Sequence, residues 1–304
     1  MWSQALLFLA MAGTFAGAED QLRIGSWNIQ NLGERAWGQH PKALAQHLWL
    51  AGLDLLVLQE IHETDGVPQR MGNKKLDEVF RLLNARSQAE WTYRLLPKND
   101  PKDGRRLCAV AWNRKRVRLV GAPLRIAFKE ADREVWRRPP YALKFSAGEG
   151  RSDFVLIPLH MKSNHDGAER ARRMRAREAR ALAAVLPHLR RVFEDRDIIL
   201  AGDTNSLSPD EESLAIFRRA GLNDLNAAGA ATYVDGKASL DRFLVASEQA
   251  EFKFSRQYAL TPADRRRHAG KLSDHYLILM AVRILEDDDP PPERPQTDVS
   301  HSPQ

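Results

Sequence analysis

Ten short stretches of this chain are strand-like, and six polar groups sit where those stretches begin or end. The runs are "LRIGSW", "DLLVLQ", "WTYRLL", "LCAVAW", "VRLVG", "YALKFS", "FVLIPLH", "IILAG", "LDRFLVA" and "YLILMAV". They are rich in leucine, β-branched and aromatic residues and are bounded by turn formers. Asn28, Glu60, His160 and Asp203 close four of them, Asp241 opens another, and Asp274 precedes the last. Turn chemistry accounts for an Asp or Asn at such a point, because these side chains bond to nearby backbone, but it does not select Glu60 or His160. A strand end is a rigid base from which a short side chain can enter a cleft.

Helical patterns fit between some of these runs. "HPKALAQHLWLAG" places Leu44, His47, Leu48 and Leu50 on one face and ends in Gly52, and "NKKLDEVFRLLNA" repeats Leu76, Val79, Phe80 and Leu83. Residues 167–191 form the longest helix, with Ala179, Leu182, Ala183 and Leu186 as its apolar stripe. Its arginines, Arg172, Arg175, Arg177 and Arg180 among them, read as a solvated face, with Arg170 and Arg173 the exceptions nearest the His160 strand end. Ten strands with few helices suit two packed sheets flanked by helices, an α/β class, better than one doubly wound parallel sheet. Repeats and long linkers are absent between Leu22 and Leu285, so residues 19–285 read as one domain.

The two ends differ from this body. "ALLFLAMAGTFA" followed by Ala16, Gly17 and Ala18 reads as a signal peptide over residues 1–18, although no Lys or Arg precedes the apolar run. The expectation is a soluble protein, secreted or periplasmic, without stable membrane insertion and monomeric. The single cysteine, Cys108, rules out an intramolecular disulfide and a thiolate metal cage and reads as a small buried hydrophobe. Residues 286–304, "EDDDPPPERPQTDVSHSPQ", have the composition of a disordered tail and a net charge of −5, which leaves +11 on the preceding residues of a chain whose total is +6. A body that basic suits a polyanionic partner.

The segments "SWNIQNL", "LLVLQE", "LHMKS", "GDTN", "SLDRFLVA" and "KLSDH" occur in the order and approximate spacing of the endonuclease/exonuclease/phosphatase superfamily, which this sequence resembles over residues 22–284. The resemblance implies a four-layer α/β sandwich of two mixed sheets flanked by helices, and divalent-metal-dependent cleavage of phosphate esters. It implies metal positions at Asn28, Glu60 and Asp274, with Glu60 the principal carboxylate. It implies that Asp203 and Asn205 position phosphate and attacking water, that His275 is the catalytic histidine oriented by Asp241, and that His160 contacts the scissile phosphate or leaving oxygen. Arg138 falls where the deoxyribonuclease I branch has a phosphate-binding arginine, and Lys162 and Arg170 are further candidates. Two departures stand out. Thr204 replaces the family's larger residue between Asp203 and Asn205. Arg105 and Arg106 stand near the place of a glutamate that pairs with the first histidine, which weakens His160 as a general acid in favour of a hydrogen-bond donor.

The residues support this chemistry without the resemblance. The candidate ligands are oxygen donors, which favours Mg²⁺ or Mn²⁺ over zinc and admits Ca²⁺ as a structural addition. Asp241 can hold His275 in one tautomer, and either His275 or Asp203 can take the proton of the attacking water. Three functions compete. A nuclease acting on DNA, and on RNA as a further substrate, suits the basic body. A lipid or inositol-phosphate phosphodiesterase or phosphatase would need a docking loop, for which "RAWGQH" around Trp37 is the candidate. A non-catalytic binding module would show an eroded catalytic set, and this set is complete.

Overall fold

The computed structural model describes residues 20–34, 38–66, 71–100, 103–130, 133–236 and 238–289. The leader, Trp37 and the tail from residue 290 onward lie outside the described residues. The chain runs through β1 (Gln21–Leu32), α1 (Pro41–Ala51), β2 (Leu55–Ile61), α2 (Lys74–Ser87), β3 (Trp91–Leu96), β4 (Leu107–Asn113) and β5 (Arg118–Arg125). There follow a small hairpin of β6 (Lys129–Glu130) and β7 (Arg133–Glu134), then β8 (Tyr141–Ser146), β9 (Asp153–His160) and α3 (Ala168–Phe193). The last part holds β10 (Ile198–Asp203), α4 (Glu212–Arg219), β11 (Leu222–Asp224), β12 (Asp241–Ala246), β13 (Tyr258–Ala259), α5 (Arg265–Lys271) and β14 (Ile278–Arg283). All ten expected strands form. The short strands β11 and β13, the hairpin and the helices α4 and α5 carry too few periodic residues to be read from sequence.

Twelve strands make two six-stranded mixed sheets, in the orders β13-β14-β1-β2-β4-β3 and β11-β12-β10-β9-β8-β5. Each has one parallel pair near its centre, β1 with β2 and β9 with β10, with antiparallel neighbours on both sides. A parallel connection needs a crossover, and α1 and α3 supply the two. Local rules set the ends of the first two helices: Pro41 stands in the first turn of α1 and Gly52 takes the left-handed C-cap at φ 60°, while in α2 the Asn73 side chain caps the Leu76 amide. Leu50 is the exception on α1, pointing to solvent at 63 % exposure.

Strand side chains alternate, so strands buried on both faces supply two cores at once. Leu22, Ile24, Leu55, Val57, Phe154, Leu156, Ile199, Ala201, Phe243 and Val245 face the opposite sheet. Their neighbours Leu56 and Leu58 pack beneath α1 and α2, and Val155, Ile157, Ile198 and Leu200 beneath α3 and α4. The result is the four-layer α/β sandwich. Between β9 and β10 the backbones come so close that a Cβ on Gly202, whose φ is 147°, would lie 2.0 Å from the Leu159 carbonyl oxygen. Only glycine fits there. Cys108 packs half-buried at the edge of the inter-sheet core, not fully inside it.

The arginine-rich helix departs from a uniform solvated face. Arg170, Arg172, Arg173 and Arg180 are exposed, but Arg175 is fully buried. Its guanidinium donates to both Glu211 oxygens, with contacts of 2.8–3.0 Å, and to the Lys162 carbonyl and Asn164 Oδ1. The ion pair pins the segment after β9 and the start of α4 to α3. Arg175→Ala should therefore lower unfolding free energy by about 3–5 kcal/mol, because Glu211 is left buried and uncompensated, whereas Arg172→Ala should change it by less than about 0.5 kcal/mol. Urea denaturation of both variants checks the contrast.

Candidate active site

The inward-facing positions stay apolar until the strands reach one end of the sandwich, and there they turn polar. Asn28 shares the parity of Leu22 and Ile24, His160 that of Phe154 and Leu156, Asp203 that of Ile199 and Ala201, and Asp241 that of Phe243 and Val245. Both parallel pairs end at this point, and β12 and the approach to β14 begin there. Asp203 is in register with His160 on one side and Asp241 on the other.

Glu60 breaks the alternation, since Leu55, Val57 and Gln59 hold the inward parity of β2. The β2–β4 register shifts between Leu58 and Ile61, and Glu60 takes φ 63°, a left-handed conformation unusual for a glutamate. The bulge turns its carboxylate inward, to 3.7 Å from His160 Nε2. β1 has its own irregularity beyond Asn28, with Gln30 and Asn31 at φ 50° and 53°, so the strand continues to Leu32 and does not stop at Asn28.

Asp203 is held from two directions. Its Oδ1 accepts from the Asn205 amide at 2.8 Å, which is the turn geometry common to Asp-x-Asn segments, and its Oδ2 accepts from Asn28 Nδ2 of the other sheet at 3.0 Å. Turn and site are thus one structure. Asn205 donates its side-chain amide to the Met161 carbonyl, and Thr204 is buried with its hydroxyl on Leu240 O.

His275 Nδ1 lies 2.8 Å from Asp241 Oδ2, and one ligand atom each from Asp203, Asp241 and His275 lie within 4.8 Å of one another. Burial opposes a charge on His275, but Asp241, reinforced by Asp203 and Asp274, outweighs it and raises the imidazole to about 10. Asp203 is raised as well, by burial first and Asp241 second, against the pull of His275. The backbone carbonyl of His275 accepts from Trp27 Nε1 at 3.0 Å and contacts His268 Nε2 at 3.1 Å. Ser273 Oγ joins the two ends of the chain, donating to Asn28 O and accepting from the His275 amide. Tyr233 was not legible beforehand: its ring lies edge-on to His275 at 5.1 Å, and its hydroxyl is 3.5 Å from Asp274 Oδ2. Nothing in "AATYVDG" marks it, because its position comes from a single β-bridge to His275.

His160 is 3 % exposed, and its Nε2 lies 3.8 Å from Asp203 Oδ2, while Nδ1 has no hydrogen-bond partner among the described residues. Burial first, then the charges of Arg138, His275, Arg106 and Lys98, push it well below 6.5. A neutral imidazole donates a hydrogen bond better than it protonates a leaving group, in line with the arginines at 105 and 106. Arg138 is half-buried, 3.5 Å from the His160 carbonyl and within the electrostatic reach of Glu60 and Asp203. Lys162 is half-buried two residues on, its ammonium donating to Ser163 O. Arg170 is exposed on α3 and makes no hydrogen bond or ion pair with the cluster among the described residues.

Glu60 and Asp274 lie close enough to interact: burial raises Asp274, His275 opposes this, and Glu60 adds to it. Two carboxylates that repel in a partly desolvated mouth form an oxygen donor pair suited to a hard dication. Asn28 spends its amide on Asp203 and Gln30, so it links the sheets.

Residues 25–275 match the Endonuclease/Exonuclease/phosphatase family. A deoxyribonuclease of a Thioalkalivibrio species is 28 % identical over 219 residues, which are 70 % of this chain and 54 % of the relative, so the chain spans about half the length of the curated relative it matches. Among solved structures, the human Nocturnin catalytic domain with bound sulfate superposes at a TM-score of 0.62, with 18 % identity over 87 % of this chain and 95 % of that one. A mannosyl-6-phosphatase of Bacteroides thetaiotaomicron gives 0.60, with 19 % identity over 87 % and 99 %. TDP2 of D. rerio, complexed with a single-strand DNA product, gives 0.56, with 17 % identity over 86 % and 99 %. These structural likenesses carry the fold.

Removing the anion beside His275 tests the electrostatics. In metal-free Asp241→Asn protein the imidazole should titrate well below its wild-type value, because the largest influence that opposes burial is gone and Asp203 and Asp274 remain. The stabilisation from the pair is complete below pH 6.5 and is lost as pH rises toward 10, so the variant's stability deficit should shrink over that window. Histidine NMR titration and denaturation at several pH values read both effects.

Proposed function

Because the chain belongs to the Endonuclease/Exonuclease/phosphatase family, whose members hydrolyse phosphoester bonds, we propose that it is a divalent-metal-dependent nuclease that cleaves phosphodiester bonds of DNA. The observation that carries the reading is the row Asp203, His275 and Asp241 beside Glu60 and Asp274, with Arg138 opposite, at one end of both sheets. The deoxyribonuclease relative and the basic body favour nucleic acid over a small phosphate ester. The lipid alternative depends on Trp37, outside the described residues, and no described feature favours it.

Phosphodiester hydrolysis needs up to about 20 kcal/mol of transition-state stabilisation, most of it charge compensation and positioning. Glu60 and Asp274, with Asn28, would hold Mg²⁺ or Mn²⁺, which when bound supplies Lewis-acid stabilisation of the phosphate oxygens. Arg138 contributes fixed positive charge to the phosphate. Asn205 and Asp203, locked by Asn28 and the turn, orient the attacking water in line with the scissile bond. As the water oxygen bonds to phosphorus and the ester bond breaks, Asp203, whose carboxylate form is supported by His275, itself held charged by Asp241, accepts the proton that the water sheds, and the leaving oxygen takes a proton from solvent. His160, neutral and buried, donates a hydrogen bond to the phosphate or to the leaving oxygen.

An assay of supercoiled DNA, RNA, sphingomyelin and inositol phosphates, each with Mg²⁺, Mn²⁺, Ca²⁺ or chelator, tests the assignment. The protein should be recovered from medium or periplasm with an N-terminus near Glu19, as the leader implies. DNA cleavage with Mg²⁺ or Mn²⁺ is expected. His275→Ala should lose at least about a hundredfold in kcat while folding normally, and Glu60→Gln should need more metal for half-maximal rate. Full activity of either folded variant contradicts its role.

Binding of the inactive His275→Ala protein to duplex DNA should weaken at least about tenfold from low to physiological salt, with a logarithmic slope of roughly 0.9 per phosphate contacted, and Arg138→Ala should reduce that slope. A flat salt response, or tight binding to lipid vesicles without binding to DNA, would favour the lipid reading.

A further inference from the structure

The opposite end of β10 gathers a second set of acids. Asp153, Asp195 and Asp289 form one group, and Asp197, Glu251 and Asp288 another; within each, one carboxylate oxygen from every residue lies within 4.8 Å of the other two. The two groups are neutralised differently. In the first, Lys144 Nζ is 2.8 Å from Asp153 Oδ2 and 3.4 Å from Asp195 Oδ2, so an ammonium already stands among the carboxylates. In the second, among the described residues, no Lys, Arg or His makes an ion pair with any member.

Two members of the second group are nevertheless deeply buried. Asp197 is 3 % exposed and Glu251 2 %, yet among the described residues Asp197 Oδ1 and Glu251 Oε2 have no hydrogen-bond donor. The other Glu251 oxygen accepts from Ser152 Oγ at 3.1 Å. Gln249 supplies a hydrogen bond to Asp197, but a buried carboxylate with one oxygen left without a donor and no counter-charge is costly, and two side by side also repel each other. A dication held between the three carboxylates would offset most of their charge.

The donor set suits one kind of cation. Carboxylate oxygens gathered within 4.8 Å of one another can share a hard dication, and Ca²⁺, which accepts six to eight oxygens in flexible geometry, fits an all-protein carboxylate set better than Mg²⁺, which keeps several of its waters. The three residues come from separate parts of the chain. Asp197 precedes β10, Glu251 lies in the short turn Ala250–Phe252, and Asp288 follows β14. The segment carrying Asp288 is already laid against the body, with Glu286 bridged to Arg151 and the Asp287 amide bonded to the Gly150 carbonyl.

We propose that Asp197, Glu251 and Asp288 bind Ca²⁺, forming a structural site about 20 Å along β10 from Asp203 that fastens the segment after β14 to the base of the second sheet. The site is separate from the catalytic end and does not depend on which phosphodiester the protein cleaves.

The experiment uses the full chain, stripped with chelator and titrated with CaCl₂ by calorimetry and thermal melting. Wild-type protein and Glu60→Gln should both bind Ca²⁺ and melt about 5 °C higher at a hundredfold excess over Kd. The double variant Asp197→Asn/Glu251→Gln, which keeps shape and removes charge, should lose the binding and the shift while retaining phosphodiesterase activity with Mg²⁺. Asp288→Asn, at an exposed position, gives the same readout if the double variant fails to fold. Absence of a Ca²⁺ response in wild-type protein, or an undiminished response in these variants, overturns the proposal. A response lost in Glu60→Gln but kept in the double variant also overturns it, because the ion would then belong to the catalytic end.

Discussion

Everything in this molecule depends on two sheets closing face to face over an apolar layer that is one residue parity deep. A strand buried on both faces gives alternate side chains to two different cores, so each inward position must be apolar for as long as the opposite sheet covers it. Where that cover ends, the same parity can carry a polar group without losing the rigidity of the strand beneath. Asn28, His160, Asp203 and Asp241 occupy those last inward positions. The central parallel pair in each sheet brings strand ends from both to one mouth. The Gly202–Leu159 approach keeps β9 and β10 close enough for Asp203 and His160 to face the same space.

Such a mouth concentrates acids in a poorly solvated place, and the fold compensates them in layers. Asp241 and His275 neutralise each other, Arg138 stands within electrostatic reach of Glu60 and Asp203, and Asn28 crosses between sheets to hold Asp203. Farther out, buried ion pairs fix the loops that complete the site. Arg175 and Glu211 anchor the segment after β9, and Arg242, two-pronged between Asp224 and Ser239, anchors the loop before β12. These pairs specify geometry more than they add stability, since desolvation offsets much of their attraction. The far end of β10 shows the same economy, with Lys144 serving one acidic group and a cation proposed for the other.

The strands and their polar ends were legible because period-two burial and turn chemistry act over a few residues. So were α1, α2 and α3, whose apolar stripes are long enough to show a period. The resemblance of six ordered segments then tied scattered residues to one chemistry. Short elements such as β11, β13 and α5 were not legible, because they are held by neighbours and not by their own pattern. Arg175 looked like its exposed neighbours on α3, because an arginine's burial is set by a carboxylate 36 positions away.

By itself, then, the sequence determined the class of fold, the helices with strong periods and the set of polar groups available to a site, since all of these follow from local propensity and alternation. Tertiary structure decided the rest. It turned Glu60 inward through a strained bulge that strict alternation forbids, set Tyr233 against His275 through one bridge, and left Arg170 in solvent. It also made His160 neutral and His275 charged. The same imidazole group takes opposite states in one cleft because the charges around it come from strands far apart in the chain, and only packing brings them together.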